Sequence, residues 1–287
     1  MREILGRRRK ISGRRKARTA VRDAALAYAG QWNWRVVPGV GFDPRRIGRR
    51  PLSVRGGLSA LSGQSARQPG GPAREQPPAC ACPRPNCPVP GGHPLDPGLL
   101  AATRDPRMVG WWWSRTPDAP IVLATGDGVS AASLPAVAGE RALSVIEHLG
   151  IRLGPVIATP TRYVFLVAPY SLDELGELLD SQEWVPTSLR YHGDGGYVPL
   201  PPSGPAGGAE DAPGAPGEPY WVREPMPSGD GAGGAADGED TEGAGGAVVR
   251  AGGVDEDGLL WLPRIGTLVD ALVRAGRTAP DIDRLRY

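Results

Sequence analysis

The chain has 287 residues, including 42 glycines, 32 prolines and only three cysteines, and a net charge of +2. Glycine and proline make up about a quarter of it, a share that marks long stretches as low-complexity and leaves an expected folded part of ~150 to 180 residues. No run approaches the ~18 apolar residues of a membrane span, no apolar segment follows the N-terminal arginines as in a secretory signal, and an odd cysteine count argues against a disulfide framework. A protein of a reducing cytoplasm is expected.

Residues 1–22 carry RRRK and GRRKAR and are expected to form a disordered basic tail. Such a tail either neutralises phosphates, giving sequence-independent nucleic-acid affinity, or is simply solvated. The segment VRDAALAYAGQWNW then repeats apolar residues at helical spacing (Val21, Ala24, Ala25, Tyr28), with Thr19 as candidate cap and Gly30 as stop. A short strand over Trp34 to Val37 should end at Pro38 and Gly39. Residues 43–79 are Arg, Gly, Pro and Ser without periodicity and read as a flexible insertion.

The three cysteines fall together in the loop CACPRPNCPVPGGHP, residues 80–94. Cys80, Cys82, Cys87 and His93 offer three thiolates and an imidazole, the donor set of a tetrahedral structural zinc site. The spacing C-x-C-x4-C-x5-H is not a common finger spacing, and the alternative is an irregular loop with three free thiols.

Beyond the loop, Pro106-Arg107 should open a helix ending in Trp111-Trp112-Trp113, tryptophans that either enter the core or stack on bases. Ile121 to Thr125 reads as a buried strand closed by Gly126-Asp127-Gly128. Ala138 to Leu149 reads as an amphipathic helix with a stripe of Ala142, Leu143, Val145, Ile146 and Leu149, stopped by Gly150. Val156 to Ala158 and Tyr163 to Val167 read as strands about the turn TPTR. Ser171 to Glu174 is a capping box opening a helix over Leu172 to Gln182. Tyr197 to Leu200 is a strand ended by Pro201-Pro202. Residues 205–258 form an acidic Gly/Ala/Pro linker with too little apolar surface to offset chain entropy. Within the final segment 259–287, Leu259 to Ala275 reads as a helix, with Leu268, Leu272 and Ala275 on one face to dock on the domain or on a partner. The irregular alternation of strands and helices gives an α/β (α+β) class, a sheet covered by helices on at least one side.

The order ALAYAGQWNWRVVP, CACPRPNCPVPGGHP, TRDPRMVGWWWSRTPDAPIVLATG and LRYHGDGGYVPLPPSG resembles the bifunctional DNA primase/polymerase N-terminal domain of the archaeo-eukaryotic primase superfamily, over roughly Ala24 to Gly204. The resemblance implies a two-part architecture around an RRM-like sheet within residues 23–204. It also implies nucleotidyl transfer on a single-stranded template by two divalent metals held by carboxylates. The positions at which the family would carry those acids are Ser130, Ser133 and Pro135 after the TG turn, and Ser188 further on; the family's histidine falls near Arg162. None is a carboxylate, and a serine hydroxyl lacks the charge that holds Mg²⁺, so the chain reads as a degenerate member.

Asp127 and Asp194 are the acids that could hold Mg²⁺ or Mn²⁺ from loops if catalysis survives; otherwise they are turn residues. His192 reads as a turn residue or a partner of Asp194 in preference to a general base. Arg162, Arg190 and Ser203 are candidate nucleotide- or phosphate-binding groups, the arginines through their planar forks. The expected partners are single-stranded DNA or a nucleotide, and a replication or regulatory protein through the final helix, with no membrane. Three functions follow: a binding module that has lost metal catalysis, an active primase/polymerase with relocated acids, or a protein-interaction scaffold.

Overall fold

The computed structural model describes residues 2–42, 80–84, 87, 89, 91–202, 218–226, 253–254 and 260–278. The insertion assigned to 43–79, Ser203 and most of the acidic linker lie outside the described residues.

Helix α1 spans Arg2–Gly30. Its last turns bury Val21, Ala25, Tyr28 and Ala29, the spacing read from the sequence. The helix starts earlier than expected. Thr19 is no cap: its Oγ1 donates to the Arg15 carbonyl one turn back, as an interior helical threonine does. Arginine, lysine and alanine propagate a helix well, so the boundary placed after residue 22 falls inside α1.

Two antiparallel sheets form the frame. The first contains β1 (Val36–Val40), β2 (His93–Pro94), β3 (Ile121–Ala124) and β8 (Tyr197–Leu200), in the order β2-β1-β3-β8. Pro38 and Gly39, expected to stop β1, lie within it. Pro38 is the last partner of β3 and Gly39 the first partner of β2, so the proline sits where one ladder hands over to the other and a missing N–H is tolerated.

The second sheet contains β4 (Ser130–Pro135), β5 (Val156–Ala158), β6 (Arg162–Val167), β7 (Arg190–His192) and β9 (Tyr220–Arg223), in the order β7-β4-β6-β5-β9. Helix α3 (Ala136–His148) connects β4 to β5, and α4 (Leu172–Asp180) connects β6 to β7. The run β4-α3-β5-β6-α4-β7 is a βαββαβ unit with its first and third strands central, which is the RRM-like sheet that the resemblance implies. Strand β9 extends the edge from within the segment read as linker; Tyr-Trp-Val supplies the β-propensity there. Ser171 caps α4 as expected, its hydroxyl accepting from the Glu174 amide.

Period-2 alternation sorts the second sheet into two faces. Ala132, Leu134, Phe165 and Val167 join α3 and α5 (Ile265–Thr278) in one core. Ala131, Val164 and Leu166 join β3, β8, α1 and α2 (Pro106–Arg115) in the other, so the two sheets meet across it. On α3 the buried stripe is Ala138, Ala142 and Ile146. Val145 and Leu149, expected in that stripe, are exposed, because a strict four-residue step keeps the contact line narrower than the sequence pattern.

The C-terminal helix α5 spans Ile265–Thr278, not the expected start at Leu259. Leu260 is a bridge residue and Leu262 belongs to β11 (Trp261–Leu262), which pairs with β10 (Gly253–Val254). Pro263 follows and disfavours helix in the residue before it. Leu268, Leu272 and Ala275 are buried against the domain, so α5 docks at home on α3 and α4. Among the described residues, no helix is long and apolar enough to cross a membrane.

Candidate functional site

The positions matched to the family's acids divide between the two faces of the RRM-like sheet. On β4, Ser133 pairs with Arg190 of β7 and Val164 of β6, Ala131 pairs with His192, and Pro135 pairs with Arg162. Directly opposed residues share a face, so Ser133, Arg162, Arg190 and His192 all project to the side where the two sheets meet. Ser130 has the other parity. It shares its face with Ala132 and Leu134 in the helix-covered core, fully buried, and its hydroxyl finds no hydrogen-bond partner among the described residues. Ser130 and Ser133 therefore cannot address one metal pair together.

At the centre of the face, the Arg162 guanidinium bonds to Ser133 and Ser188. Nε donates to Ser133 Oγ at 3.0 Å, and Nη2 donates to the Ser133 carbonyl at 2.7 Å and the Ser188 carbonyl at 2.6 Å. Ser133 Oγ also lies 2.9 Å from His192 Nε2. Arg162 thus bridges β4 to the segment leading into β7. His192 is on a strand and partners Ser133; the expected turn position and the pairing with Asp194 are both replaced. Burial first, then the positive charges of Arg162 and Arg190, push its pKa down to about 4, so the imidazole is neutral at pH 7 and shares a hydrogen bond with the Ser133 hydroxyl. Arg190 itself is exposed on the edge strand.

Asp127 and Asp194 sit on two turns that touch. Thr125 Oγ1 donates to the Gly193 carbonyl at 2.7 Å, and Thr125 N to the Gly196 carbonyl at 3.0 Å. Gly126, at φ +111°, lies so close that a Cβ there would stand 2.4 Å from Asp194 Cα; only glycine fits that approach. The Asp127 carboxylate is committed to arginines, 2.9 Å from Arg104 Nη2 and 4.0 Å from Arg35 Nη1. The hydrogen bond from Arg104 holds it below the usual carboxylate range. Sequence reading missed both arginines, which come from segments 92 and 23 residues away; no local pattern signals that pairing.

The Cys/His loop is the one place among the described residues where three or more metal-ligating groups converge. Cys80 Sγ, Cys82 Sγ, Cys87 Sγ and a His93 ring nitrogen lie within 4.8 Å of one another. A tetrahedral thiolate site needs neighbouring sulfurs about 3.8 Å apart, from Zn–S bonds of about 2.3 Å, so the cluster fits an ion with small adjustment. His93 is carried on β2, and its Nδ1 lies 3.0 Å from the Pro94 carbonyl. Donation there leaves Nε2, 3.4 Å from Cys80 Sγ, as the ligand atom. Cys80 is anchored by its bridge to Phe42 and receives the Gly91 amide on its sulfur at 3.4 Å. Gly91 is at φ +72°, and a Cβ would strike the Phe42 ring at 2.4 Å. The four residues can hold a metal ion.

Of the three tryptophans, Trp112 and Trp113 are buried and Trp111 is 48% exposed. The core reading holds for two, and the third faces water.

No curated protein and no solved structure matches the chain. The family model for the bifunctional DNA primase/polymerase N-terminal domain matches residues 25–227, which takes in both sheets, the Cys/His loop and β9, and extends past the boundary expected at Gly204. With most of its length matched and the RRM-like unit in place, the chain belongs to the bifunctional DNA primase/polymerase N-terminal family.

Proposed function

We propose that this protein is a primase/polymerase-family module that binds single-stranded DNA or nucleotide and lacks metal-dependent nucleotidyl transfer. The observation that carries this reading is Arg162 on Ser133. Two-metal catalysis needs carboxylates to hold two divalent cations at the attacking and leaving oxygens. Here the sheet positions offer serine hydroxyls and a carbonyl, already bonded to a guanidinium. A metal pair entering that place would meet the positive charge of the Arg162 guanidinium. The exposed Arg190 on the adjacent edge strand supports phosphate binding by direct charge pairing. Arg162 adds to the positive field of the same face, and Ser203 is a further candidate hydroxyl at the phosphate.

In this reading the ion of the Cys80, Cys82, Cys87 and His93 cluster is zinc, and its role is structural. All four donors come from protein, which closes the coordination shell and leaves no open position for substrate.

An active enzyme with relocated acids draws on one observation, the contact between the Asp127 and Asp194 turns. Against it, the Asp127 carboxylate is paired with Arg104. The deciding experiment is nucleotide incorporation on primed and unprimed single-stranded DNA with Mg²⁺ and then Mn²⁺, beside an Asp127→Asn/Asp194→Asn control. The expected result is no incorporation, with DNA or nucleotide binding retained. Incorporation that the control loses would overturn the proposal. Loss of all nucleic-acid and nucleotide affinity would leave the scaffold function.

A further inference from the structure

The face formed by α1 and α2, away from the Ser133 cluster, carries a feature that the reading above does not use. On α2, Arg107, Trp111 and Arg115 fall at four-residue steps on one solvent-facing stripe, beside the exposed Met108. Helix α1 packs alongside. Arg22 Nη2 stands 3.9 Å from where a Cβ would lie on Gly110, so its guanidinium rests against α2 at the residue before Trp111. The Arg115 guanidinium sits over the Trp111 ring, 4.6 Å from its centroid. Between residues 15 and 30 and along α2, the cations are Arg15, Lys16, Arg18, Arg22, Arg107 and Arg115, and the one acid is Asp23. Of these cations, Arg18 is committed to Asp118.

We infer that this α1–α2 face is a second binding site, which takes single-stranded nucleic acid by stacking a base on Trp111 while Arg22, Arg107 and Arg115 pair with its phosphates. The inference deepens the binding-module reading and rests on it. A large indole held in water costs hydration free energy that a core position would recover, and its two neighbours in sequence do occupy the core. Arginines spaced around an exposed ring supply the combination that unpaired strands need: a π-face for any base and positive charge along the backbone. A duplex keeps its bases stacked inside and offers only phosphates, so it gains from the arginines and not from the tryptophan. A protein partner would be expected to want a broader apolar surround than one tryptophan and one methionine amid cations.

The test is fluorescence anisotropy with the full chain and a labelled oligothymidylate of about 20 nucleotides, at several salt concentrations. Trp111→Ala is expected to weaken binding about tenfold, and Trp111→Phe to restore most of it. Arg107→Gln and Arg115→Gln are each expected to lower the slope of log K against log salt by about one. Melting curves check that the exposed substitutions leave the fold intact. If the wild-type chain binds the strand and Trp111→Ala binds it equally well, this site is refuted while the binding-module reading stands. If the wild-type chain binds no strand, the site is refuted as well; a nucleotide titration on the same protein then decides whether the module reading survives. Equal loss of duplex and single-strand affinity in Trp111→Ala would refute the stacking role.

Discussion

Replacing Arg162 by methionine tests whether its guanidinium is a strut between strands or a ligand-binding group. The side chain donates two hydrogen bonds to Ser133 and one to the Ser188 carbonyl, and both serines are buried. Charge-assisted bonds contribute about 1.5–3 kcal/mol each when their loss leaves buried acceptors unmet. Arg162 is only half-buried, so water recovers part of that, and two of the bonds share one residue. A loss of about 2–4 kcal/mol is the resulting expectation. For a domain of this size each kcal/mol moves the melting temperature by about 2–4 °C, so Arg162→Met should melt roughly 4–16 °C lower. Arg162→Lys keeps the charge but not the fork, and should recover less than half of the loss. The assay is urea unfolding of the full chain followed by tryptophan fluorescence, with nucleotide affinity measured in parallel. A stability loss below about 1 kcal/mol together with a large fall in nucleotide affinity would refute the strut and make Arg162 a phosphate ligand.

Further expectations bear on the other groups. His192 has a folded pKa near 4 against about 6.5 unfolded. The unfolded chain therefore binds a proton that the native chain refuses between those values, and stability should be full above pH ~6.5 and fall as the pH drops toward 4; a His192→Asn variant whose stability has the same slope in that window would exclude this cause. Elemental analysis of the purified protein should find about one zinc per chain, and Cys87→Ser should abolish it while the far-ultraviolet spectrum stays near wild type, since the loop lies outside both main cores; an unaltered metal content would exclude Cys87 as a ligand. Gly126→Ala should destabilise the paired turns by about 1–3 kcal/mol, because the added Cβ meets the Asp194 backbone at a positive φ; a melting temperature within 1 °C of wild type would mean the turns part freely.

The sequence alone determined what depends on neighbours along the chain. The helices α2, α3 and α4 were legible because apolar spacing, the proline opening α2 and the Ser171 cap act within one turn. The Cys/His loop was legible because all four donors fall within 14 residues. Tertiary structure decided whatever depends on register and on distant partners. It put Ser130 and Ser133 on opposite faces of β4, drew Arg104 and Arg35 onto Asp127, and turned the expected linker segment Tyr220–Arg223 into a sheet edge. The same holds for Arg162, whose reach to Ser133 and Ser188 follows from the antiparallel pairing of β4 with β6 and β7. A strand's face is fixed only when its partner is known, and a shift of one residue reverses it; that pairing is a property of the folded chain, not of any segment within it.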